Sequence, residues 1–193
     1  MKLLAISLLG LSILFNACSK KTDTSVLKSP VPKDNDAGSQ SLYYPVKNIT
    51  DQQSNNEAVD FSWMEKGQEK KLSDYKGKVI LLNFWATWCP PCKRELPDLS
   101  SISKELSGKD FVLIGISVDE NQAALETYLK ANNLPYTVLL EPNTLLTRFM
   151  AITGNDQNVI PQTFIINKKG KVVESVIGSR SKGDFLSLIN KYL

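Results

Sequence analysis

Histidine is absent from this 193-residue chain. Without an imidazole there is no Ser-His-Asp or Cys-His catalytic pair within it, and no histidine-ligated zinc, copper or haem iron. Cysteine is scarce: Cys18, Cys89 and Cys92 are the three present. Three thiols cannot build a framework of disulfides, and a zinc ribbon needs a second CxxC pair that the chain lacks. A CxxC followed by histidine would suggest covalent haem attachment, but Lys93 follows Cys92. No metal and no cofactor are expected. An excess of one charge is also missing, since 23 Lys and Arg face 20 Asp and Glu, a formal net charge of +3. That balance is too small to argue for a nucleic-acid partner or an anionic membrane surface.

The N-terminus has the texture of an export signal. Lys2 precedes an uncharged apolar run over 3–15. The run is shorter than the ~20 residues of a bilayer span and fits a signal peptide in length and flanks. A short buried helix is the alternative. The run ends at Ala17-Cys18, which resembles a bacterial lipoprotein signal, in which the cysteine is acylated and becomes the new N-terminus. Phe15 and Asn16 depart from the residues usual there. Lipidation of Cys18 is the reading adopted, with ordinary cleavage or an uncleaved anchor left open. It leaves Cys89 and Cys92 as one closely spaced pair. The expected organisation is a signal peptide over 1–17, a lipidated cysteine and disordered tether over 18–56, and one domain over 57–193. The tether is rich in Ser, Asp, Asn, Gln, Lys and Pro and would span roughly 35 Å. Leu42-Tyr43-Tyr44-Pro45-Val46 is its apolar exception and could dock on the domain.

From Glu57 onward, strand and helix patterns alternate. Val59 and Phe61 alternate with polar neighbours, and Gly67 marks a turn. Val79, Ile80, Leu81, Leu82 and Phe84 form an unbroken apolar run over 78–85, as in a central strand covered on both faces. A helix follows over 90–107, with Leu96, Leu99, Ile102 and Leu106 on one stripe. A second buried strand is predicted over 111–118, a helix over 121–132, a strand over 136–140 and a short helix over 144–152. A hairpin joins 162–166 to 172–177 through Asn167-Lys168-Lys169-Gly170, and a helix closes the chain over 182–193. This order predicts an α/β fold, with a mixed sheet because the hairpin must be antiparallel.

Cys89 falls where the first buried strand meets a helix. Amide groups at a helix N-terminus point outward with partial positive charge, which stabilises a thiolate. Pro90 suits the first helical position. Cys89 is the expected exposed nucleophile, and Cys92, one turn on, the sulfur that displaces it from a mixed disulfide. A structural disulfide, or a peroxidase with one reactive cysteine, are the other uses weighed.

Residues 83–97, Asn-Phe-Trp-Ala-Thr-Trp-Cys-Pro-Pro-Cys-Lys-Arg-Glu-Leu-Pro, resemble the signature of TlpA/ResA-type thiol-disulfide oxidoreductases, in the thioredoxin superfamily near the AhpC/TSA peroxidases. The resemblance covers 57–193 and includes Leu134-Pro135-Tyr136 through Glu141-Pro142. It implies a thioredoxin-like fold: a central mixed β-sheet flanked by helices, with an N-terminal hairpin extension and a central insertion. It also implies roles. Ile160-Pro161 resembles the cis-proline segment that sits against the cysteine pair, where the backbone of Ile160 pairs with substrate peptide. Asn83 stands where thioredoxins carry a buried aspartate, and Glu95 is the glutamate that this type uses instead to shuttle a proton. Trp88 packs beside the nucleophile and excludes water, whereas Trp85 reads as plain core. Two departures stand out: Gln162, where threonine is more usual, and a long stretch over 154–158.

The implied activity is reduction of protein disulfides, apocytochrome c thiols among them, by a membrane-anchored monomer on the extracytoplasmic side, recharged by a membrane thiol donor. Envelope redox homeostasis is the broader setting. A thiol peroxidase, or a non-enzymatic binding lipoprotein on the same fold, are the alternatives.

Overall fold

Val79–Trp85 has no exposed position along its seven residues, and this strand lies inside the sheet. The computed structural model describes residues 41–50, 56–142 and 144–193. In chain order the elements are β1 (Tyr44–Ile49), β2 (Phe61–Glu65), β3 (Gln68–Lys71), a 3₁₀ turn (Leu72–Tyr75), β4 (Val79–Trp85), α1 (Pro90–Glu105), β5 (Phe111–Ser117), α2 (Gln122–Ala131), β6 (Thr137–Leu140), α3 (Leu145–Thr153), β7 (Gln162–Ile166), β8 (Val172–Ile177) and α4 (Lys182–Asn190). Among the described residues the sheet has eight strands in the order β3-β2-β1-β6-β5-β4-β7-β8. β1, β6, β5 and β4 run parallel, while β7 and β8, and β2 and β3, pair antiparallel. The sheet is therefore mixed and flanked by helices, a thioredoxin-like α/β arrangement.

Side chains alternate across a strand, so β4 feeds two cores. Val79, Leu81 and Trp85 pack with Leu96, Leu99 and Ile102 of α1, Leu125 of α2 and Phe185 of α4. Ile80, Leu82 and Phe84 pack on the other face with Phe149 and Met150 of α3 and with Phe164. Phe84 meets Phe164 edge-on, with ring centroids 5.8 Å apart. Local chemistry sets the helix ends. Asn121 caps α2 through the Ala124 N–H, Ser181 and Asp184 form a capping box on α4, and Glu141 accepts the N–H groups of Thr144 and Leu145 at the start of α3. The β2–β3 turn needs left-handed backbone at both central residues, Lys66 (φ 51°) and Gly67 (φ 77°).

The boundary drawn at residue 56 is corrected here. Tyr44–Ile49 is no tether but a strand inside the sheet, parallel to β6 and antiparallel to β2. Tyr43 beside it is buried. The polar composition around this stretch hid it, because its backbone bonds to strands far away in the chain. The expected signal peptide, Cys18 and most of the expected tether lie outside the described residues. No helix among the described residues is long and apolar enough to cross a membrane.

Because β1 joins the β2–β3 hairpin to β6, a chain starting at residue 57 should unfold at clearly lower urea than one starting at 41. The expected loss is more than about 2 kcal/mol. Equal midpoints would mean that β1 is dispensable.

Candidate active site

β4 ends at Trp85, and α1 begins at Pro90 with Cys89 as its N-cap. Cys89 and Cys92 are joined by a disulfide, with Cα atoms 5.3 Å apart. Cys89 is 4 % exposed and Cys92 fully buried. The outer sulfur is thus that of Cys89, but it is recessed rather than exposed as the sequence suggested. The helix terminus also offers fewer donors than the sequence argument assumed. Proline has no N–H, so Pro90 and Pro91 remove the first two helical amides. The Cys92 N–H points at Cys89 Sγ at 3.3 Å, and the Lys93 N–H bonds the Cys89 carbonyl.

The Ile160–Pro161 peptide bond is cis, and the Ile160 carbonyl oxygen lies 3.7 Å from Cys89 Sγ. A disulfide sulfur carries no proton, so this is a contact and not a hydrogen bond. Trp88 is 65 % exposed. It directly precedes Cys89 in the chain and presents an apolar surface to solvent.

Glu95 follows Cys92 by three residues, on the same face of α1. It is 1 % exposed. Its Oε1 accepts from Asn83 Nδ2 at 2.8 Å, and its Oε2 faces the Arg180 N–H at 3.4 Å. Asn83 uses its other N–H on Thr163 Oγ1 at 2.9 Å. Burial pushes the Glu95 carboxyl up to about 7, against a smaller opposing pull from those hydrogen bonds and the Arg180 charge.

Asp119, just beyond β5, was not singled out from the sequence. It is buried and fastens the turn that leads into Cys89. Its carboxylate accepts the Thr87 N–H at 3.0 Å, the Thr87 hydroxyl at 2.6 Å and the Ser117 hydroxyl at 2.7 Å. The available signal was a polar pair, Ser117 and Asp119, at the C-terminal end of a buried parallel strand, where α/β folds gather their sites. No group of three or more Cys, Asp or Glu side chains among the described residues is arranged to hold a metal ion.

The family model described as AhpC/TSA matches residues 54–175. The chain belongs to the AhpC/TSA family. The thiol-disulfide oxidoreductase ResA of Bacillus subtilis is 33 % identical over 126 residues, 64 % of this chain and 68 % of that protein. A thiol:disulfide interchange protein of the thioredoxin family from Chlorobium tepidum superposes with a TM-score of 0.63 at 31 % identity, over 74 % of this chain and 99 % of that one. The exposed lipoprotein thioredoxin of Streptococcus pneumoniae gives 0.56 at 30 % identity, over 68 % and 98 %. This family member is a thiol-disulfide oxidoreductase of that kind, with Cys89 and Cys92 as its pair.

Cys89, Cys92, Glu95, Trp88, Ile160 and Pro161 gather at one end of the sheet, while Cys18 lies outside the described residues. Two outcomes follow from the buried carboxylates. Glu95 is neutral in both folded and unfolded chains below its ordinary 4.5, and the stability this carries is lost as pH rises through about 7. The oxidised protein should therefore lose about 3 kcal/mol between pH 4 and pH 8 that a Glu95→Gln variant does not lose, as read by urea unfolding across pH. Asp119→Ala should cost about 2–4 kcal/mol by leaving its buried donors unpaired, again measured by urea unfolding.

Proposed function

We propose that this chain is an extracytoplasmic, membrane-anchored reductase of protein disulfides, with Cys89 attacking and Cys92 resolving. The observation that carries the reading is the Cys89–Cys92 disulfide at the start of α1, with the inner sulfur buried and the Ile160 carbonyl against the outer one. In the dithiol form, the Cys89 thiolate attacks one sulfur of a substrate disulfide. That bond breaks, the leaving sulfur departs as a thiolate that takes up a proton, and a mixed disulfide joins Cys89 to the substrate. Cys92, deprotonated, then attacks Cys89 Sγ and expels the substrate's second sulfur. Two electrons have passed to the substrate, and the pair is left as a disulfide. A dithiol donor at the membrane restores it.

Glu95 sits one helical turn from Cys92, and its carboxyl is pushed up to about 7. A group so poised accepts the Cys92 proton as the second attack begins. Pro161 keeps the segment before β7 close to Cys89. In this reading the Ile160 backbone pairs with an extended substrate, and Trp88 adds an apolar contact.

Two features favour reduction. Strong oxidants of this kind owe their potential to a stabilised reduced form. Here Pro90 and Pro91 remove two amides that would otherwise hold a Cys89 thiolate, and an ionised Glu95 opposes a second negative charge nearby. Export and acylation at Cys18 agree with the pneumococcal relative, which is described as an exposed lipoprotein. Apocytochrome c cysteine pairs are the substrate suggested by the resemblance to ResA-type proteins. The chain acts as a monomer without metal or organic cofactor.

Insulin reduction by the domain should fall at least about 100-fold in Cys89→Ser. Cys92→Ser should stall with Cys89 in a mixed disulfide whose partner mass spectrometry identifies. Turnover of hydrogen peroxide with no reduction of insulin would overturn the proposal in favour of a peroxidase.

A further inference from the structure

Gln162 is fully buried at the first position of β7. A buried amide is costly unless its donors and acceptor are met, and here all of them are met by one loop. Its Nε2 donates to the backbone carbonyls of Gln157 at 2.5 Å and Val159 at 2.8 Å, and its Oε1 accepts from Asn155 Nδ2 at 3.0 Å. The loop adds two bonds of its own. The Gln157 N–H donates to Asn155 Oδ1, and the Val159 N–H to the Gln157 carbonyl, each at 2.9 Å. It leaves α3 at Gly154, in left-handed backbone at φ 66°, and ends at the cis Ile160–Pro161 bond. A segment with no strand or helix of its own is thus held by one side chain projecting from the sheet.

That grip decides what faces the disulfide. Val159 is 51 % exposed. It directly precedes Ile160, whose carbonyl touches Cys89 Sγ, and consecutive Cα atoms are about 3.8 Å apart. Trp88 is exposed on the chain neighbour of Cys89 itself. Three large apolar side chains are exposed among the described residues, and Trp88 and Val159 are two of them. Isolated exposed apolar side chains are ordinary, but Trp88 adjoins Cys89 in the chain, and Val159 adjoins the residue whose carbonyl meets the Cys89 sulfur.

We propose that Gln162 is a positioning residue that determines specificity: its buried amide fixes the 155–159 loop so that Val159 forms an apolar wall selecting disulfides in extended peptide segments with a large apolar side chain beside the attacked cysteine. The inference rests on the thiol-exchange reading above and adds the substrate class to it. Gln162 touches no reacting atom and acts through the loop. Polar flanking residues are disfavoured because docking would strip their water without offering partners.

The test uses the reduced protein and three disulfides: two peptides differing in Leu or Ser beside the cysteine, and bis(2-hydroxyethyl) disulfide, too small to reach the loop. Wild type should prefer the Leu peptide by about tenfold in kcat/KM, the scale of one apolar contact. Gln162→Met keeps the volume and removes the hydrogen bonds, and Val159→Ser removes the wall without touching the core. Each should bring the preference to within about twofold, through KM rather than kcat. No preference in wild type, or a preference retained in the variants, overturns the proposal. So does a Gln162→Met variant that slows all three disulfides equally, since that is the mark of a merely structural role. If Gln162→Met does not fold, Asn155→Ala, which breaks the grip on Gln162 from the loop side, takes its place and should bring the preference to within about twofold, and a preference it retains overturns the proposal. A wild type that reduces none of the three, the small disulfide included, refutes the thiol-exchange reading itself and this inference with it.

Discussion

The antiparallel register between β4 and β7 governs the chemistry at the end of the sheet. Asn83 stands opposite Thr163, and Phe84 opposite Gln162. Because side chains alternate, Asn83 and Thr163 turn towards α1, where their amide and hydroxyl bond each other and Asn83 reaches Glu95. Gln162 turns to the other face and holds the loop after α3. The same register carries the chain back so that Ile160 and Pro161 overhang the sulfur of Cys89. A slip of one residue would reverse every one of these directions. The proton-holding group, the segment that meets the disulfide and the loop before it are thus set by one pairing.

Around the disulfide, polar groups are few and well spaced. Asp119 holds the approach to Cys89 through Thr87. The Cys92 amide faces the outer sulfur, and Glu95 waits behind the inner one. The low dielectric of this interior strengthens each interaction and penalises each unpaired charge. That explains why a carboxyl with several hydrogen-bond donors around it still keeps its proton to about pH 7. The site combines a recessed sulfur with two exposed apolar side chains, Trp88 and Val159, each close in sequence to a residue of the site.

Much of the scaffold was legible in the sequence because its signals are local. A short apolar run rich in Val, Ile and Leu ahead of a turn and a helix reads as a strand covered on both faces, and β4 is one. The helices after it announce themselves by apolar stripes. The cysteine pair at a strand-to-helix junction could be read from spacing alone. β1 could not. Its first half stood out as apolar and able to dock, but that it forms a strand depends on pairing with β6 and β2 at long range. Asp119 escaped for the same reason, since an aspartate beyond a strand is ordinary until Thr87 is found within 2.6 Å of it. Gln162 and the stretch over 154–158 stood out as two separate departures, and the hydrogen bonds of Gln162 make them one arrangement.

The sequence by itself determined the α/β class and the dithiol pair at the start of a helix, because each is written in neighbouring residues: periodicity, a CxxC, a proline at the helix start. Tertiary structure alone decided how far each sulfur is buried, how few amides face Cys89, how strongly Glu95 holds its proton and what surface a substrate would meet. Those properties arise from distant segments brought within a few ångströms, where desolvation and hydrogen-bond geometry set their size, and no local pattern encodes that proximity.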